Sequence, residues 1–337
     1  MNATSPEIQS PPPPTAVVMQ MLMGYMVSQA LTVAAKLKIA DYLNDGAKTA
    51  EQLAKLTTSH APSVYRLMRA LASTGVFAQD SKNHFSNNAL SEVLRSDHPE
   101  SLRSMVEMLG HYEHWNAHGN LAQSVKTGEI AFDFTWGMPA FPFYEKHPES
   151  QKLFDDAMTS FTTGIAHAVT TTYDFSDAKT IADIGGGHGM LLSTILEAHK
   201  NTRGIVFDQP QVVAGAKVSE RIKLISGDFF SEIPVKADVY LMKHILHDWN
   251  DEQCVTILNN LAKSAKSGAK LLLVESVVEE ENVPSMSKLM DLNMMAITGG
   301  KERTATEYSE LFEKTGFKLI GVMPMPSPVQ IVEAVRV

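Results

Sequence analysis

The sequence predicts an α/β protein with a doubly wound parallel sheet in its second half and a mainly helical first half. Short β-branched or aliphatic runs recur from residue 173 onward, and stretches long enough for crossover helices separate them. Before residue 173 the patterns are mainly helical. A chain of 337 residues also exceeds the usual size of one domain. We therefore expect a disordered proline-rich tail at residues 1–14, a helical domain at 15–172 and a sheet domain at 173–337.

Composition and charge indicate the cellular compartment of the protein and exclude some classes of partner. Cys254 is the single cysteine, and a thiol that cannot form an intramolecular disulfide favours a reducing compartment, here the cytoplasm. We find no run of about 18 uncharged apolar residues and no signal-peptide pattern, so we expect no contact with a membrane. The net charge of -9 disfavours non-specific binding to nucleic acid.

A methionine-rich apolar stretch follows the tail, from Thr15 to about Lys38. Its length and composition predict a helix that is apolar on more than one face. Such a helix needs cover, and two kinds of cover are open at this point. The helix either packs inside its own domain or forms an interface between two subunits, where methionine is also common.

Residues 48–86 have the outline of a winged helix, with two short helices, a turn and a β-hairpin. Thr49 and Gln52 have the spacing of a capping box at the start of the first helix. Arg66 and Arg69 lie three residues apart on the second helix, so a DNA-reading role has to be weighed. The excess of basic residues in this region is small, and we favour solvated arginines on a structural helix.

Residues 91–172 have a helical pattern that an aromatic segment, residues 128–148, interrupts. Glycine and proline punctuate this segment. It suits either a core that links domains or the wall of an apolar pocket.

Polar residues and glycines follow the runs that we predict as strands. In a doubly wound sheet the ligand binds outside the carboxyl ends of the strands, so functional residues are expected there. In chain order, the residues at these ends are Asp183 with the glycines after it, Asp208, Asp228 with Phe229, His247 and Glu275.

The segment ADIGGGHGM, residues 182–190, predicts a tight turn after the first of these strands. A dinucleotide fingerprint requires G-x-G-x-x-G, but Met190 occupies the third glycine position when the count starts at Gly185. Gly185, Gly187 and Gly189 give G-x-G-x-G, which lets the backbone approach a nucleoside that carries no diphosphate.

Acidic residues after the next two strands add to this interpretation. A carboxylate at Asp208 can accept hydrogen bonds from both hydroxyls of a ribose. Asp228 and Phe229 are suited to hydrogen-bond and flank an adenine. Together with the glycine turn they indicate a site for S-adenosylmethionine. The alternative is a tight structural turn with capping aspartates.

His247 is the candidate base for such a site. Methyl transfer to a phenol needs a base, because a phenol with a pKa of about 10 is mostly protonated at neutral pH. An unperturbed histidine is free to accept that proton, and a neighbouring carboxylate fixes its tautomer. Asp248 follows it directly, Glu275 ends the next strand, and Glu302 follows a glycine pair. The sequence shows no cage for a divalent cation, so we expect no metal.

Four separated motifs carry a family resemblance: IADIGGGHGMLLSTILEAHKNTRGIVFDQPQVV, GDFF, KHILHDWNDEQC and GGKERTATEYSELFEKTGF. They resemble the class I O-methyltransferases of the plant caffeate and acetylserotonin type and their bacterial relatives. The resemblance runs from about Thr15 to the C-terminus. It implies a Rossmann-like S-adenosylmethionine-dependent methyltransferase domain preceded by a mainly α-helical, winged-helix-like dimerisation domain. It also implies a homodimer and favours the subunit interface for the methionine-rich helix.

The resemblance implies roles for single residues. The histidine before Asp-Trp, here His247, is the catalytic base of the family, and Asp248 neighbours it. Glu275 and Glu302 match the two carboxylates that bracket this base. The implied cofactor contacts are Gly185 in the glycine turn, Asp208, Asp228, Phe229 and Lys243. Met158 and Met294 match the clamp on an aromatic substrate ring.

The sequence thus predicts a metal-independent, homodimeric, S-adenosylmethionine-dependent O-methyltransferase that acts on a hydroxyl of a small aromatic or polyketide-like molecule. Two alternatives stay open: a family member with diverged chemistry, such as decarboxylation or hydroxylation, and a ligand-sensing DNA-binding regulator. A nicotinamide-dependent dehydrogenase is third, and the missing third glycine argues against it. The motifs do not determine the methyl acceptor, because side-chain packing shapes its pocket.

Overall fold

The structure is a computed structural model that describes residues 12–337. The chain divides into two compact units, Met1–His111 and Tyr112–Val337. The predicted proline-rich tail lies, up to residue 11, outside the described residues. Its last residue, Pro14, begins a helix and is not part of a tail. Proline is favoured there because its fixed φ suits the helix and the first turn does not use its missing N–H.

The first unit is mainly helical. Its elements are α1 (Pro14–Lys36), α2 (Ile39–Tyr42), α3 (Ala50–Thr57), α4 (Ala61–Ser73), β1 (Ala78–Gln79), β2 (Phe85–Ser86), α5 (Ala89–Glu92) and α6 (Arg103–Leu109). The predicted capping box of α3 is confirmed, because Thr49 and Gln52 exchange hydrogen bonds between side chain and backbone. Helices α3 and α4 precede the antiparallel hairpin β1–β2, and Leu53, Met68 and Phe85 lie in their shared core.

Helix α1 is apolar and largely exposed in this chain. By length and composition alone, α1 is long and apolar enough to cross a membrane. The expectation that no stretch of the chain has this length and composition is therefore wrong for α1. Ala34 and Ala35, near its C-terminal end, are buried, whereas Met21 is 74% exposed and Leu22 is 58% exposed. An apolar surface of this extent needs a cover, and a second subunit can supply one.

Five helices open the second unit. They are α7 (Tyr112–Gly119), α8 (Leu121–Thr127), α9 (Ala131–Trp136), α10 (Ala140–Lys146) and α11 (Pro148–Thr172). Phe132 and Phe143 share a buried cluster with Ala296 and Ile297, which come much later in the chain. The division at residue 111 therefore differs from the predicted boundary at residue 172, because the aromatic segment buries its side chains inside the second unit.

A seven-stranded sheet lies at the centre of the second unit, in the order β10-β11-β7-β6-β3-β4-β5. The strands of this unit are β3 (Thr180–Ile184), β4 (Arg203–Asp208), β5 (Ile222–Ser226), β6 (Val239–Lys243), β7 (Lys270–Glu275), β8 (Val277–Val278), β9 (Arg303–Thr304), β10 (Phe317–Pro324) and β11 (Gln330–Arg336). The five strands from β3 to β7 pair in parallel with their neighbours in the sheet, which confirms the predicted parallel sheet. Strands β10 and β11 add an antiparallel edge that the sequence analysis did not predict.

Helices cover both faces of this sheet. They are α12 (Met190–Ala198), α13 (Pro210–Val213), α14 (Asp251–Ser264) and α16 (Ala305–Thr315), together with α11. Helix α15 (Met286–Ile297) packs instead against α7, α8 and α9. Met242 and Leu273 belong to the buried cluster on one face, and Leu241 and Leu272 to the cluster on the other. Because the parallel strands run in one direction, their carboxyl ends meet at one edge, and the candidate site lies there.

Candidate active site

The glycine turn joins β3 to α12 at the carboxyl edge of the sheet. Gly185, Gly187 and Gly189 all have a positive φ, which glycine adopts without steric cost. A Cβ at Gly185 would lie 2.3 Å from Cδ1 of Ile245, in the segment that leads to the candidate base. A Cβ at Gly187 would meet no atom of the described residues within 4 Å. The turn is thus packed on one side and open for a ligand on the other.

Asp208, at the end of β4, supports the glycine turn. Its Oδ2 accepts a hydrogen bond from the N–H of Gly187 at 2.7 Å, and its Oδ1 accepts one from the N–H of Gln209 at 2.7 Å. Burial raises the pKa of Asp208, although these two hydrogen bonds act in the opposite direction. Each carboxylate oxygen has a second lone pair, so Asp208 can still accept hydrogen bonds from ribose hydroxyls.

Asp228 and Phe229 follow β5 at the same edge. The Asp228 carboxylate accepts hydrogen bonds from the N–H of Phe230 at 2.9 Å and from the hydroxyl of Ser231 at 3.0 Å. The ring of Phe229 comes within 3.9 Å of the position that a Cβ on Gly185 would occupy. The structure therefore brings Phe229 next to the glycine turn, and its predicted role beside an adenine stays a prediction.

Lys243, at the end of β6, is a half-buried cation among carboxylates. Burial lowers the pKa of Lys243, and the charges of Asp183, Glu275 and Asp248 oppose this effect. Asp183 is 2% exposed, and its burial raises its pKa to about 7 in spite of the nearby lysine. A Cβ at Gly186 would lie 2.7 Å from Cγ of Asp183. Asp183 thus lies between the glycine turn and Lys243. The sequence placed Asp183 at a strand end but did not show that Lys243 would be its partner.

The candidate base lies in a short 3-10 turn, Leu246–Asp248. Nδ1 of His247 is 2.9 Å from Oε1 of Glu302 and 3.8 Å from Oε2 of Glu275. Its Nε2 is 3.7 Å from Oδ1 of Asp248. The two glutamates meet because Glu275 ends β7, Glu302 precedes β9, and the parallel pairing of β8 with β9 joins the two segments. The structure thus brings together the predicted base and its three predicted carboxylate neighbours, which are His247, Asp248, Glu275 and Glu302.

Glu275 holds the backbone of the same turn. Its Oε1 accepts hydrogen bonds from the N–H groups of Ile245 and Leu246, both at 3.1 Å. Its Oε2 has no hydrogen-bond partner among the described residues. Burial raises the pKa of Glu275, against the opposing charge of His247. One carboxylate thus fixes the start of the turn and faces the imidazole.

The protonation state of His247 differs from the sequence expectation. Burial by itself lowers the pKa of His247, but the charges of Asp248 and Glu275 and the hydrogen bond with Glu302 outweigh it and raise the pKa to about 10. The carboxylates around the imidazole therefore favour its protonated form, whereas a histidine with an unperturbed pKa would be mostly neutral at neutral pH.

His244 is a second, half-buried histidine beside His247, and the sequence analysis missed it. Its φ of 53° lies in the left-handed region, which is strained for a residue with a Cβ. Its ring centroid is 4.8 Å from that of His247 and 5.5 Å from that of Phe161. Burial lowers the pKa of His244 well below its ordinary value, and the charges of Lys243 and His247 act in the same direction. His244 is therefore neutral at neutral pH.

The ligand atoms of His244, His247 and Glu275 lie within 4.8 Å of one another, a spacing at which a metal ion can bind. In the observed arrangement Nδ1 of His247 already pairs with Glu302. Ion pairing therefore accounts for this geometry, and the expectation that the site needs no metal stays a prediction.

Aromatic side chains lie next to the base turn, and the structure gives the burial of the two methionines of the predicted clamp. Phe141 stacks on Trp249, with ring centroids 5.9 Å apart and an interplanar angle of 28°. Met158 is half-buried on α11, and Met294 is buried on α15. Their role as a clamp on the substrate stays a prediction.

Comparison with known proteins identifies the family. The O-methyltransferase domain matches residues 118–318, and the O-methyltransferase dimerisation domain matches residues 19–97. The chain belongs to the O-methyltransferase family. This assignment confirms the predicted fold and an S-adenosylmethionine-dependent O-methyltransferase activity, and the dimerisation domain assigns a homodimer. Neither the diverged chemistry nor the DNA-binding regulator is favoured for this O-methyltransferase.

The relatives of this O-methyltransferase are similar over nearly its whole length. A phenazine O-methyltransferase of Lysobacter antibioticus is 42% identical over 329 residues, which cover 96% of each chain. A mitomycin biosynthesis 6-O-methyltransferase of Streptomyces lavendulae is 37% identical over 331 residues, 95% of this chain and 94% of the other. The structure of human N-acetylserotonin methyltransferase in complex with S-adenosylmethionine has a TM-score of 0.90 at 26% identity, over 97% of this chain and 99% of that one. The predicted cofactor, S-adenosylmethionine, is confirmed.

Proposed function

We propose that this O-methyltransferase methylates a hydroxyl of a small aromatic metabolite and that His247 is its base. The observation that supports this role is the 2.9 Å contact between Nδ1 of His247 and Oε1 of Glu302, at the sheet edge that carries the glycine turn. The acceptor class rests on the names of the relatives, which are a phenazine O-methyltransferase and a mitomycin biosynthesis 6-O-methyltransferase. Stacked rings such as Phe141 and Trp249 suit a flat aromatic acceptor.

The cofactor residues divide by the part of the molecule that they suit. The turn formed by Gly185, Gly187 and Gly189 would hold the cofactor against the backbone, and Asp208 would accept the ribose hydroxyls. Phe229 would flank the adenine, and Asp228 would hydrogen-bond to it. Lys243 would orient the site through its carboxylate neighbours. When bound, S-adenosylmethionine supplies a methyl group on a positively charged sulfonium, which leaves as a neutral thioether when the new O–C bond forms.

The proton of the acceptor hydroxyl goes to Nε2 of His247. Glu302 holds Nδ1, so Nε2 is the ring nitrogen that remains to act as the base. A positive charge in the neighbouring site lowers the pKa of His247 by Coulomb repulsion, which favours the neutral imidazole that can accept the proton. The imidazolium that forms is stabilised by the Glu302 and Glu275 carboxylates. Positioning of the hydroxyl against the methyl group supplies further acceleration.

Two measurements test these roles. Calorimetric titration should show binding of S-adenosylhomocysteine and no binding of NAD. His247→Gln should lower kcat on an accepted phenol by about 100-fold or more while the affinity for S-adenosylhomocysteine stays unchanged. His199→Gln is the matched control, because His199 precedes β4 at the opposite edge of the sheet. Turnover of His247→Gln near the wild-type rate would remove His247 from the mechanism.

Metal independence has its own test. Turnover should stay unchanged after dialysis against a chelator and should not rise when Mg²⁺ or Zn²⁺ is added back. Loss of activity with chelator and its recovery with one cation would assign the His244, His247 and Glu275 cluster to a metal.

We place the enzyme in the cytoplasm. The free thiol of Cys254 is buried and donates a hydrogen bond to the carbonyl of Leu246 at 3.3 Å, so the reduced form is part of the packed structure. Fractionation of cells that produce the protein tests this placement, and recovery from another compartment would contradict it.

A further inference from the structure

Arg303 is a fully buried arginine next to the base turn. Its Nη1 donates hydrogen bonds to the carbonyl of Leu246 at 2.9 Å and to that of Lys301 at 3.3 Å. Its Nη2 donates to the carbonyl of Trp249 at 2.8 Å. The carboxylate of Asp251 accepts from Nε at 3.1 Å and from Nη2 at 2.8 Å. The guanidinium is thus held in one orientation by several acceptors.

The carbonyls that Arg303 binds lie on both sides of the candidate base in the chain. Leu246 directly precedes His247, and Trp249 follows two residues after it. Glu302, the neighbour of Arg303 in the chain, holds the imidazole of the same residue. One dipeptide therefore fixes both the ring and the backbone of the base turn.

We propose that Arg303 is a positioning residue that fixes the base turn so that Nε2 of His247 faces the acceptor hydroxyl; this inference rests on the proposed role of His247 as the base. The planar guanidinium can donate to several carbonyls at once, and a lysine ammonium cannot reproduce that fork. A base displaced by about 1 Å costs about 100-fold in rate, so a small movement of the turn is enough to matter. Arg303 therefore acts on the chemical step without touching the substrate.

The test compares Arg303→Lys with Arg221→Lys. Arg221 also donates to several backbone carbonyls, those of Leu196, His199, Lys200 and Thr202, but these lie at the amino edge of the sheet. Arg303→Lys should lower kcat by about 10- to 100-fold with little change in the affinity for S-adenosylhomocysteine. Arg221→Lys should lower the melting temperature and leave kcat unchanged. Equal kcat losses in both variants would show that Arg303 contributes only to stability.

A second readout does not depend on turnover. The ¹⁵N NMR signal of the His247 imidazole reports its pKa in the complex with S-adenosylhomocysteine. Arg303→Lys should loosen the contact between Nδ1 of His247 and Glu302. The pKa of His247 should then move towards the ordinary histidine value. An unchanged pKa together with wild-type kcat would overturn the proposal for Arg303. Full activity of His247→Gln would overturn the base assignment instead, so the two failures are distinguishable.

Asp251→Asn keeps the proposal testable if Arg303→Lys does not fold. The side chain of Asp251 is 53% exposed, and the substitution keeps its shape while it removes the charge that pairs with Arg303 and, at 3.4 Å, with Lys301. It should lower kcat in the same direction by a smaller factor. In the double variant with His247→Gln, no further loss of kcat should appear, because both changes act on the same step. A full additional loss would contradict an action through His247.

Discussion

At the scale of single residues, His247 shows how neighbouring charges set the state of a buried side chain. Its imidazole has Glu302 at 2.9 Å and carboxylates of Glu275 and Asp248 at 3.8 and 3.7 Å. Removal of one member of such a buried group leaves uncompensated charge and costs about 3–5 kcal/mol of stability. The same charges therefore hold the base in place and tie its protonation to the stability of the fold.

We expect the free energy of unfolding to fall as the pH rises above about 6.5, the ordinary histidine pKa. The pKa of His247 is higher in the folded protein than in the unfolded chain, so its stabilisation is complete below that pH. The stabilisation disappears as the pH rises through the folded pKa. Urea unfolding at several pH values measures this loss. His247→Gln should show a shallower slope, and equal slopes in the two proteins would contradict the raised pKa.

Asp208 gives a second prediction at this scale. Asp208→Asn should weaken the binding of S-adenosylmethionine by about 10- to 100-fold, because a hydrogen bond to a charged group contributes about 1.5–3 kcal/mol. At saturating cofactor, kcat should change little. Asp238→Asn is the matched control, since Asp238 also accepts hydrogen bonds from two backbone N–H groups but precedes β6 at the amino edge. Calorimetry on both variants decides, and equal affinity losses would speak against a direct contact at Asp208.

At the scale of elements, the segment before β9 approaches the base turn at backbone distance. A Cβ at Gly300 would lie 1.9 Å from the carbonyl oxygen of His247 and 2.5 Å from the carbonyl carbon of Asp248. The φ of Gly300 is not positive, so the constraint is steric rather than conformational. The glycine pair in the GGKERT motif therefore allows Glu302 and Arg303 to reach the base.

Gly300→Ala should consequently lower kcat by about 10- to 100-fold, because the added methyl group must push the two segments apart. Gly321→Ala in β10 is the control, since a Cβ there meets no described atom within 4 Å. Steady-state kinetics and thermal melts on both variants separate displacement of the base from general destabilisation. A Gly300→Ala enzyme with wild-type kcat would show that the segment shifts without moving His247.

At the scale of the whole molecule, the exposed apolar side chains of α1 require a partner surface. We propose that α1 contributes to the subunit interface of the homodimer, because the dimerisation domain match covers residues 19–97 and includes most of this helix. Met21 and Leu22 are among its most exposed apolar residues. Their burial against a second copy accounts for an apolar helix in a chain with a net charge of -9.

Met21→Glu should therefore weaken the homodimer by about 30-fold in dissociation constant, equivalent to about 2 kcal/mol. Ile320→Glu introduces the same charge at a residue that is 57% exposed on β10 and should leave the dimer intact. Analytical ultracentrifugation over a range of protein concentrations measures both. If α1 binds a membrane instead, the wild-type chain should sediment with lipid vesicles, and Met21→Glu should stay in solution.

Much of the fold could be predicted because its signals are local. The capping box of Thr49, the aliphatic runs of β3 to β7 and the glycine turn are each written in a few adjacent residues. Strands β10 and β11 were not predicted, because β10 alternates apolar and polar residues irregularly and gains its partner only in the folded sheet. The end of the first unit at His111 was missed for a related reason, since the aromatic segment packs on residues far along the chain.

The sequence by itself determined the strand ends and the glycine turn, and it singled out His247 as the candidate base with its carboxylates, because motif spacing and residue type carry that information. Only the tertiary structure decided that Arg303 holds the turn of His247, that His244 lies beside the imidazole and that neighbouring carboxylates raise the pKa of His247. Hydrogen bonds between distant segments and the desolvation of buried charges depend on which groups folding brings together. Neither can be read from residues that are adjacent in the chain.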